Sequence, residues 1–194
     1  VVVCFVTVFC VGLFLMQHRM IYPNPRSYSS EFLQSLGSDY VALEYKTSAG
    51  VQRAFYVQPK DALPGDIGSL PQHIWFLFNG MGGLALGWRS FIEKFPADDV
   101  GFVLIDYPGF GSSQGEASPE TTDESAKNAL AELARIYKVS PEIIEQRLSV
   151  LGVSFGTGPA AQFAAARPIS KVVLVSPFSS LFDAACDRWA WRST

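Results

Sequence analysis

Short apolar runs alternate along this chain with segments that carry a single apolar face. The runs at residues 40–47 and 51–57 flank a Ser-Ala-Gly sequence, which predicts a β-hairpin. Four later runs are almost continuously apolar, as expected for strands that are covered on both faces of a sheet. These four runs occupy residues 73–78, 100–107, 148–153 and 171–175.

The segments between the later strands predict helices. Residues 119–137 show apolar positions at helical spacing, with Thr121 and Glu124 as a candidate capping box. Further helices are predicted over residues 88–95, 141–146 and 159–166. Strands that alternate with helices favour an α/β fold with a mostly parallel sheet and helices on both faces, and parallel crossovers bring the carboxyl ends of the strands to one edge.

A Gly-Val-Ser-Phe-Gly sequence at 152–156 joins one of these strands to an alanine-rich helix. A serine on so sharp a turn has a strained backbone and tolerates only neighbours without bulk, which Gly152 and Gly156 provide. A glycine-rich turn with an incidental serine is the alternative.

This arrangement resembles the G-x-S-x-G nucleophile elbow of the α/β-hydrolases, a motif that lies between a strand and a helix. The resemblance implies that Ser154 is the nucleophile. The following helix would aim free N–H groups at an oxyanion, so the amide of Phe155 is one expected donor. The Asp-Tyr-Pro-Gly-Phe-Gly-Ser-Ser sequence at 106–113 independently resembles the loop after this family's fourth strand, in which Asp106 has a structural place.

The predicted strand 73–78 opens into Asn-Gly-Met-Gly-Gly at 79–83. In the α/β-hydrolases the corresponding loop usually begins His-Gly and supplies the second oxyanion amide. Asn79 stands here in the place of that histidine. Because the donor is a backbone N–H, the resemblance still assigns it to Met81. The alternative is a glycine-rich turn that only connects the strand to the next helix.

The resemblance covers about residues 40–180 and is to serine aminopeptidase or monoacylglycerol-lipase-like hydrolases. It implies a serine hydrolase that cleaves an ester, thioester or amide by acyl transfer, possessing neither a metal nor an organic cofactor. The apolar N-terminus favours a lipid or acylated substrate. A catalytically inactive binding or scaffold protein on the same fold is the alternative function.

The family's acid and histidine follow the nucleophile, yet no histidine follows Ser154 in this sequence. His18 and His73 are poorly placed for catalysis. We therefore expect residues 40–194 to be the first two-thirds of an α/β-hydrolase domain, without its C-terminal strands. A chain that naturally ends here is the alternative.

Two features near the end of the sequence remain open. Asp183 and Asp187 are weak candidates for the acid. The aromatic-rich residues 178–191 begin either a lid or an ordinary part of the core.

Residues 1–16 form an unbroken apolar run. We predict a transmembrane anchor at 1–20 followed by a proline-containing linker at 21–39. The alternatives are the core of a cleaved signal peptide, which would make the protein secreted, and a buried helix. The membrane orientation is left open because only one flank of the run is present.

Composition narrows the range of partners. The net charge of -3 gives no basic surface for nucleic acid. Three cysteines do not make a disulfide framework, and two histidines without a Cys/His cluster argue against a zinc site. The expected partners are a small-molecule or lipid substrate and a membrane.

Overall fold

The computed structural model describes residues 2–22, 27–62 and 68–178. Asp183 and Asp187 lie outside the described residues, as does almost all of the aromatic-rich segment 178–191, so the choice between a lid and ordinary core stays open. Within the described part, the central feature is a six-stranded sheet with the order β1-β2-β4-β3-β5-β6. Its strands are β1 (Tyr40–Thr47), β2 (Gly50–Val57), β3 (His73–Phe78), β4 (Val100–Ile105), β5 (Leu148–Val153) and β6 (Lys171–Val175).

The directions of the strands determine which loops lie together at one edge of the sheet. The hairpin of β1 and β2 is antiparallel, and β2 is also antiparallel to β4. The strands β4, β3, β5 and β6 are mutually parallel, which confirms the predicted mostly parallel sheet. Phe78 at the end of β3 pairs with Ile105 of β4 and Gly152 of β5. The loops that follow these three strands therefore leave the sheet side by side.

Helices cover both faces of the sheet, as predicted. On one face, Leu133 and Phe163 are buried in the same core cluster as Phe76, whose ring stacks on that of Phe163 at a centroid distance of 5.1 Å. On the other face, Ile92 packs with Leu104. The α-helices are α1 (Val2–Ile21), α2 (Ser30–Gln34), α3 (Arg89–Glu93), α4 (Pro119–Tyr137), α5 (Pro141–Glu145) and α6 (Thr157–Ala165).

The predicted helix 88–95 is present as α3 over Arg89–Glu93, and a 3₁₀ turn at Ala85–Trp88 that was not predicted comes before it. One local prediction was wrong. The capping box of α4 joins Ser118 and Thr121, because the helix begins at Pro119 and Ser118 is therefore its N-cap. Glu124 instead accepts a hydrogen bond from the backbone N–H of Ser48 at 2.9 Å.

The N-terminal part of the chain comprises α1 and the segment that leads to β1. Large apolar side chains of α1, including Phe5, Val8 and Leu15, are exposed. Among the residues that the structure describes, no helix is both long enough and apolar enough to span a bilayer. The region predicted as a linker contains α2, whose Phe32 and Leu33 pack against the core cluster on the α3 face.

Candidate active site

Ser154 lies at the tip of a strand-to-helix turn. β5 ends at Val153, a 3₁₀ turn occupies Ser154–Gly156, and α6 follows. Ser154 is exposed and has a φ of 51°, a left-handed conformation that non-glycine residues seldom adopt. Its carbonyl accepts a hydrogen bond from the hydroxyl of Thr157 at 2.6 Å. The turn therefore presents the serine to solvent under local backbone strain.

The two glycines of the turn lie where backbones pack directly against one another. A Cβ added at Gly152 would overlap the carbonyl of Gly156 and the side chain of Ala160. A Cβ added at Gly156 would overlap the carbonyl oxygens of Phe78 and Asn79. The elbow can thus lie this close to the end of β3 only without side chains at both positions.

The loop that carries Met81 lies against the elbow. The N–H of Gly83 donates to the carbonyl of Gly80 at 3.0 Å, closing a β-turn in which Gly82 has a φ of 70°. Met81 is the first central residue of this turn, so its own amide is not part of the turn's hydrogen bond. A Cβ built at Gly80 would be 3.7 Å from the Cβ of Ser154. The structure therefore brings together the loop of Met81 and the elbow of Ser154 and Phe155.

Two buried hydrogen bonds fix the first residue of this loop. The side-chain amide of Asn79 donates to the carbonyl of Ile105 at 2.9 Å. The hydroxyl of Tyr107 donates to the carbonyl of Asn79 at 2.6 Å. Asn79, which replaces the family's usual histidine, therefore ties the end of β3 to the end of β4.

Asp106 is a fully buried carboxyl beside the same loop. Its Oδ1 accepts hydrogen bonds from the backbone N–H of Ala85 at 2.7 Å and from the hydroxyl of Tyr28 at 3.1 Å. Its Oδ2 is buried without a hydrogen-bond partner. Burial raises the pKa of Asp106 from 3.8 to about 6, and the two hydrogen bonds oppose this rise.

Asp106→Asn is expected to stabilise the protein at pH 8 and to change its stability little at pH 4. Because the folded pKa of about 6 exceeds the ordinary value of 3.8, the folded state binds more protons than the unfolded state between these values. Stability is therefore lost as the pH rises through this window, and the loss stays constant above it. Raising the pKa from 3.8 to about 6 means that the ionised Asp106 lowers the free energy of unfolding by roughly 3 kcal/mol.

Urea unfolding of both proteins at pH 4 and pH 8 measures this difference. The asparagine keeps an oxygen for the N–H of Ala85 and the hydroxyl of Tyr28, so the loop contacts are preserved. A change in the free energy of unfolding that is equal at both pH values would contradict the raised pKa of Asp106.

No histidine side chain that the structure describes lies near Ser154. His73 is exposed at the amino end of β3. At about 3.3 Å per residue, it lies roughly 17 Å from Phe78, the residue at the end of β3 that is close to the elbow. The side chain of His18 lies outside the described part. The described residues also contain no group of three or more His, Cys, Asp or Glu side chains that could hold a metal ion.

A cavity of about 620 Å³ lies elsewhere in the molecule. Its lining includes Val57, Arg89 and Val100. Val100 is the first residue of β4, so this cavity lies at the edge of the sheet opposite Ser154. Its size alone does not make it a part of the candidate active site.

Three tyrosines around the site were not predicted from the sequence. The ring of Tyr22 meets that of Phe155 edge to face at 5.2 Å, and Tyr107 approaches Phe155 at 6.1 Å. Tyr28 contacts Asp106 across 78 residues of sequence. Tyr107 could have been suspected from its place beside Asp106, whereas no local pattern identifies Tyr22 or Tyr28.

Comparisons with known proteins agree with this architecture. A model of the family described as the alpha/beta hydrolase fold matches residues 76–192. Over 89 residues the chain is 32% identical to an uncharacterized protein of Mycobacterium tuberculosis strain H37Rv, and the match covers 46% of this chain and 30% of that protein. A protein of strain CDC 1551 / Oshkosh gives the same values. The matched region is thus less than a third of the length of these curated relatives.

Solved structures show the same fold. DcsB in complex with its substrate analogue has a TM-score of 0.57 at 20% identity, covering 73% of this chain and 47% of that one. Smu.1393c from Streptococcus mutans has a TM-score of 0.52 at 16% identity, covering 76% and 48%. At such identities these likenesses show the fold alone. Because the family match spans more than half of the sequence, the chain belongs to the alpha/beta hydrolase fold family, whose fold is consistent with hydrolase activity.

Proposed function

We propose that this protein is a serine hydrolase whose nucleophile is Ser154 and which cleaves an ester, thioester or amide by acyl transfer. The observation that carries the proposal is the exposed Ser154 with a φ of 51°, held between β5 and α6. Backbone strain of this kind costs about 1–3 kcal/mol and persists only where the surrounding structure imposes it, which is typical of functional sites. Here Gly152 and Gly156, on either side of Ser154, pack against neighbouring atoms with no room for a Cβ.

The proposed reaction proceeds in two acyl-transfer steps. The Oγ of Ser154 attacks the substrate carbonyl, and the amides of Phe155 and Met81 stabilise the resulting oxyanion. Collapse of this intermediate breaks the bond to the alcohol, thiol or amine, which leaves with a proton. Water then attacks the acyl-enzyme and releases the carboxylic acid. An imidazole is required to take the serine proton and return it to the leaving group; His73 lies at the opposite edge of the sheet and cannot serve.

The proposed substrate class is a lipid or another acylated molecule, as in the monoacylglycerol-lipase-like and serine aminopeptidase hydrolases. Two observations support this class. The described large side chains of α1 are apolar and exposed, as on a helix that associates with lipid. The residue after this helix, Tyr22, contacts Phe155 in the elbow. A substrate held in an apolar phase around α1 would thus be close to Ser154.

Mapping the site of covalent modification tests the proposed activity. The protein, expressed from its whole reading frame, is incubated with a fluorophosphonate probe, digested and analysed by mass spectrometry. We expect the adduct on the peptide that contains Ser154. An adduct on another serine would overturn the assignment of the nucleophile. A protein that the probe does not modify would instead support a binding or scaffold function on the same fold.

The proposed membrane association through α1 makes a separate prediction. In cells, the protein should sediment with membranes and resist extraction by alkaline carbonate, because transfer of the exposed apolar side chains of α1 from water into lipid lowers the free energy. A variant with Phe5, Phe9 and Phe14 replaced by serine should become largely extractable. Phe91→Ser, which changes a partly exposed phenylalanine of α3, is the matched control and should remain with the membranes. Extraction of the unmodified protein would contradict the anchor.

A further inference from the structure

Tyr28 belongs to the segment before the sheet, yet its side chain reaches the loop beside Ser154. Its hydroxyl donates a hydrogen bond to Oδ1 of Asp106 at 3.1 Å and accepts one from the backbone N–H of Leu86, also at 3.1 Å. Asp106 in turn accepts the backbone N–H of Ala85 at 2.7 Å. These three bonds hold the two consecutive amides of Ala85 and Leu86, which lie two and three residues beyond Gly83 at the end of the loop of Met81.

The surroundings of Tyr28 fix its ring independently of its hydroxyl. The ring stacks on Phe32 at 5.9 Å and meets Phe55 edge to face at 5.8 Å. Gly111 has a φ of 62°, and a Cβ there would overlap both the Asp106 carboxyl and the Tyr28 ring. The close approach of Tyr28 to Asp106 therefore depends on this glycine. Removing the hydroxyl alone would leave the aromatic contacts in place.

We propose that Tyr28 is a positioning residue of the loop of Met81, and that the described residues 27–39 that lead into β1 thereby support the candidate active site. The hydroxyl acts through Leu86 and Asp106 on the chain that follows Met81. Tyr22, which follows α1, packs its ring against the ring of Phe155 on the elbow. Tyrosines that precede the sheet therefore contact both the side chain of Phe155 and the chain that follows Met81.

Tyr28→Phe tests this inference, which rests on the proposed function. The variant keeps the ring and loses the hydroxyl. Removing a whole oxyanion donor slows catalysis by about 10²–10³-fold. Loosening the loop that carries the donor should slow the reaction less. We therefore expect about a tenfold fall in the maximal rate of fluorophosphonate labelling. The probe concentration at half-maximal rate should stay nearly unchanged, since the loop acts on the transition state rather than on probe binding.

Tyr56→Phe is the matched control. The Tyr56 hydroxyl is 2.7 Å from that of Tyr137 and near the first residues of β4, far from Ser154. Tyr56→Phe loses one hydroxyl hydrogen bond and Tyr28→Phe loses two, each worth about 1 kcal/mol. Only Tyr28→Phe should slow labelling. If Tyr56→Phe slows it equally, or if Tyr28→Phe labels within about twofold of the unmodified protein, the positioning role is wrong.

Two results separate this inference from the proposed function. If the unmodified protein is not labelled at Ser154, the proposed function fails, whatever the variants do. Amide exchange over residues 79–88 can still be compared in that case, and Tyr28→Phe should accelerate exchange there while Tyr56→Phe should not. If Ser154 is labelled and Tyr28→Phe changes neither rate nor exchange, only the positioning role of Tyr28 fails.

Discussion

Ser154→Ala is expected to abolish labelling by a fluorophosphonate probe while leaving the fold intact. The probe reacts with an activated serine oxygen, and alanine has no Oγ to attack phosphorus. The side chain of Ser154 is exposed, and its hydroxyl has no described hydrogen bond to protein, so little packing is lost. Gel fluorescence measures the labelling, and circular dichroism with thermal unfolding checks the fold.

Ser176→Ala is the matched control for this experiment. Ser176 directly follows β6, is exposed, and has a φ of 54°, close to that of Ser154. It thus shares the strand-end position and backbone strain but not the flanking glycines. Labelling should persist in Ser176→Ala. Labelling that persists in Ser154→Ala and disappears in Ser176→Ala would move the nucleophile to the neighbouring strand.

Ser154→Gly separates strain from chemistry. Glycine adopts a φ of 51° without the steric cost that a Cβ adds, so this variant should gain up to about 1 kcal/mol in the free energy of unfolding. It should also be unlabelled. A protein that becomes more stable when it loses its reactive serine is expected where the fold stores strain at a functional site.

Much of the fold was predictable because it depends on local patterns. Continuous apolar runs gave the buried strands β3, β4 and β5, and helical periodicity gave the bounds of α4. The capping box of α4 was misassigned because Thr121 and Glu124 have the spacing of a capping box, although a helix that begins at Pro119 makes Ser118 its N-cap. The 3₁₀ turn before α3 was missed because a 3₁₀ turn and a helix share nearly the same spacing of apolar residues.

The candidate site was predictable only where its residues are close in sequence. The pattern around Ser154 suggested the elbow, and the strand order then placed the loop of Met81 beside it. The bond between Tyr28 and Asp106 joins residues 78 positions apart. Such a contact depends on how α2 and the preceding chain pack, which no periodicity encodes. The base for Ser154 could not be assigned either, since neither histidine is in a position that the elbow motif specifies.

Gly156→Ala is expected to destabilise the protein strongly and to remove labelling of Ser154. The added Cβ would overlap the carbonyl oxygens of Phe78 and Asn79, which are backbone atoms at the end of β3 and cannot turn aside as a flexible side chain could. The elbow or the strand end must move, and overpacking of this kind costs typically about 1–3 kcal/mol and occasionally more. Any such shift also separates Ser154 from the loop of Met81, so labelling should fall even in molecules that remain folded.

The matched control for this variant is Gly158→Ala, two residues further along. Gly158 lies in the first turn of α6, and a Cβ there would have no atom within 4 Å. Alanine is favoured over glycine in a helix by about 0.5–1 kcal/mol, so this variant should be slightly more stable and fully labelled. Urea unfolding and labelling of both variants measure the contrast. If Gly156→Ala unfolds at the same urea concentration as the unmodified protein, the elbow does not depend on the close backbone packing at Gly156, and the steric account of the strained serine is wrong.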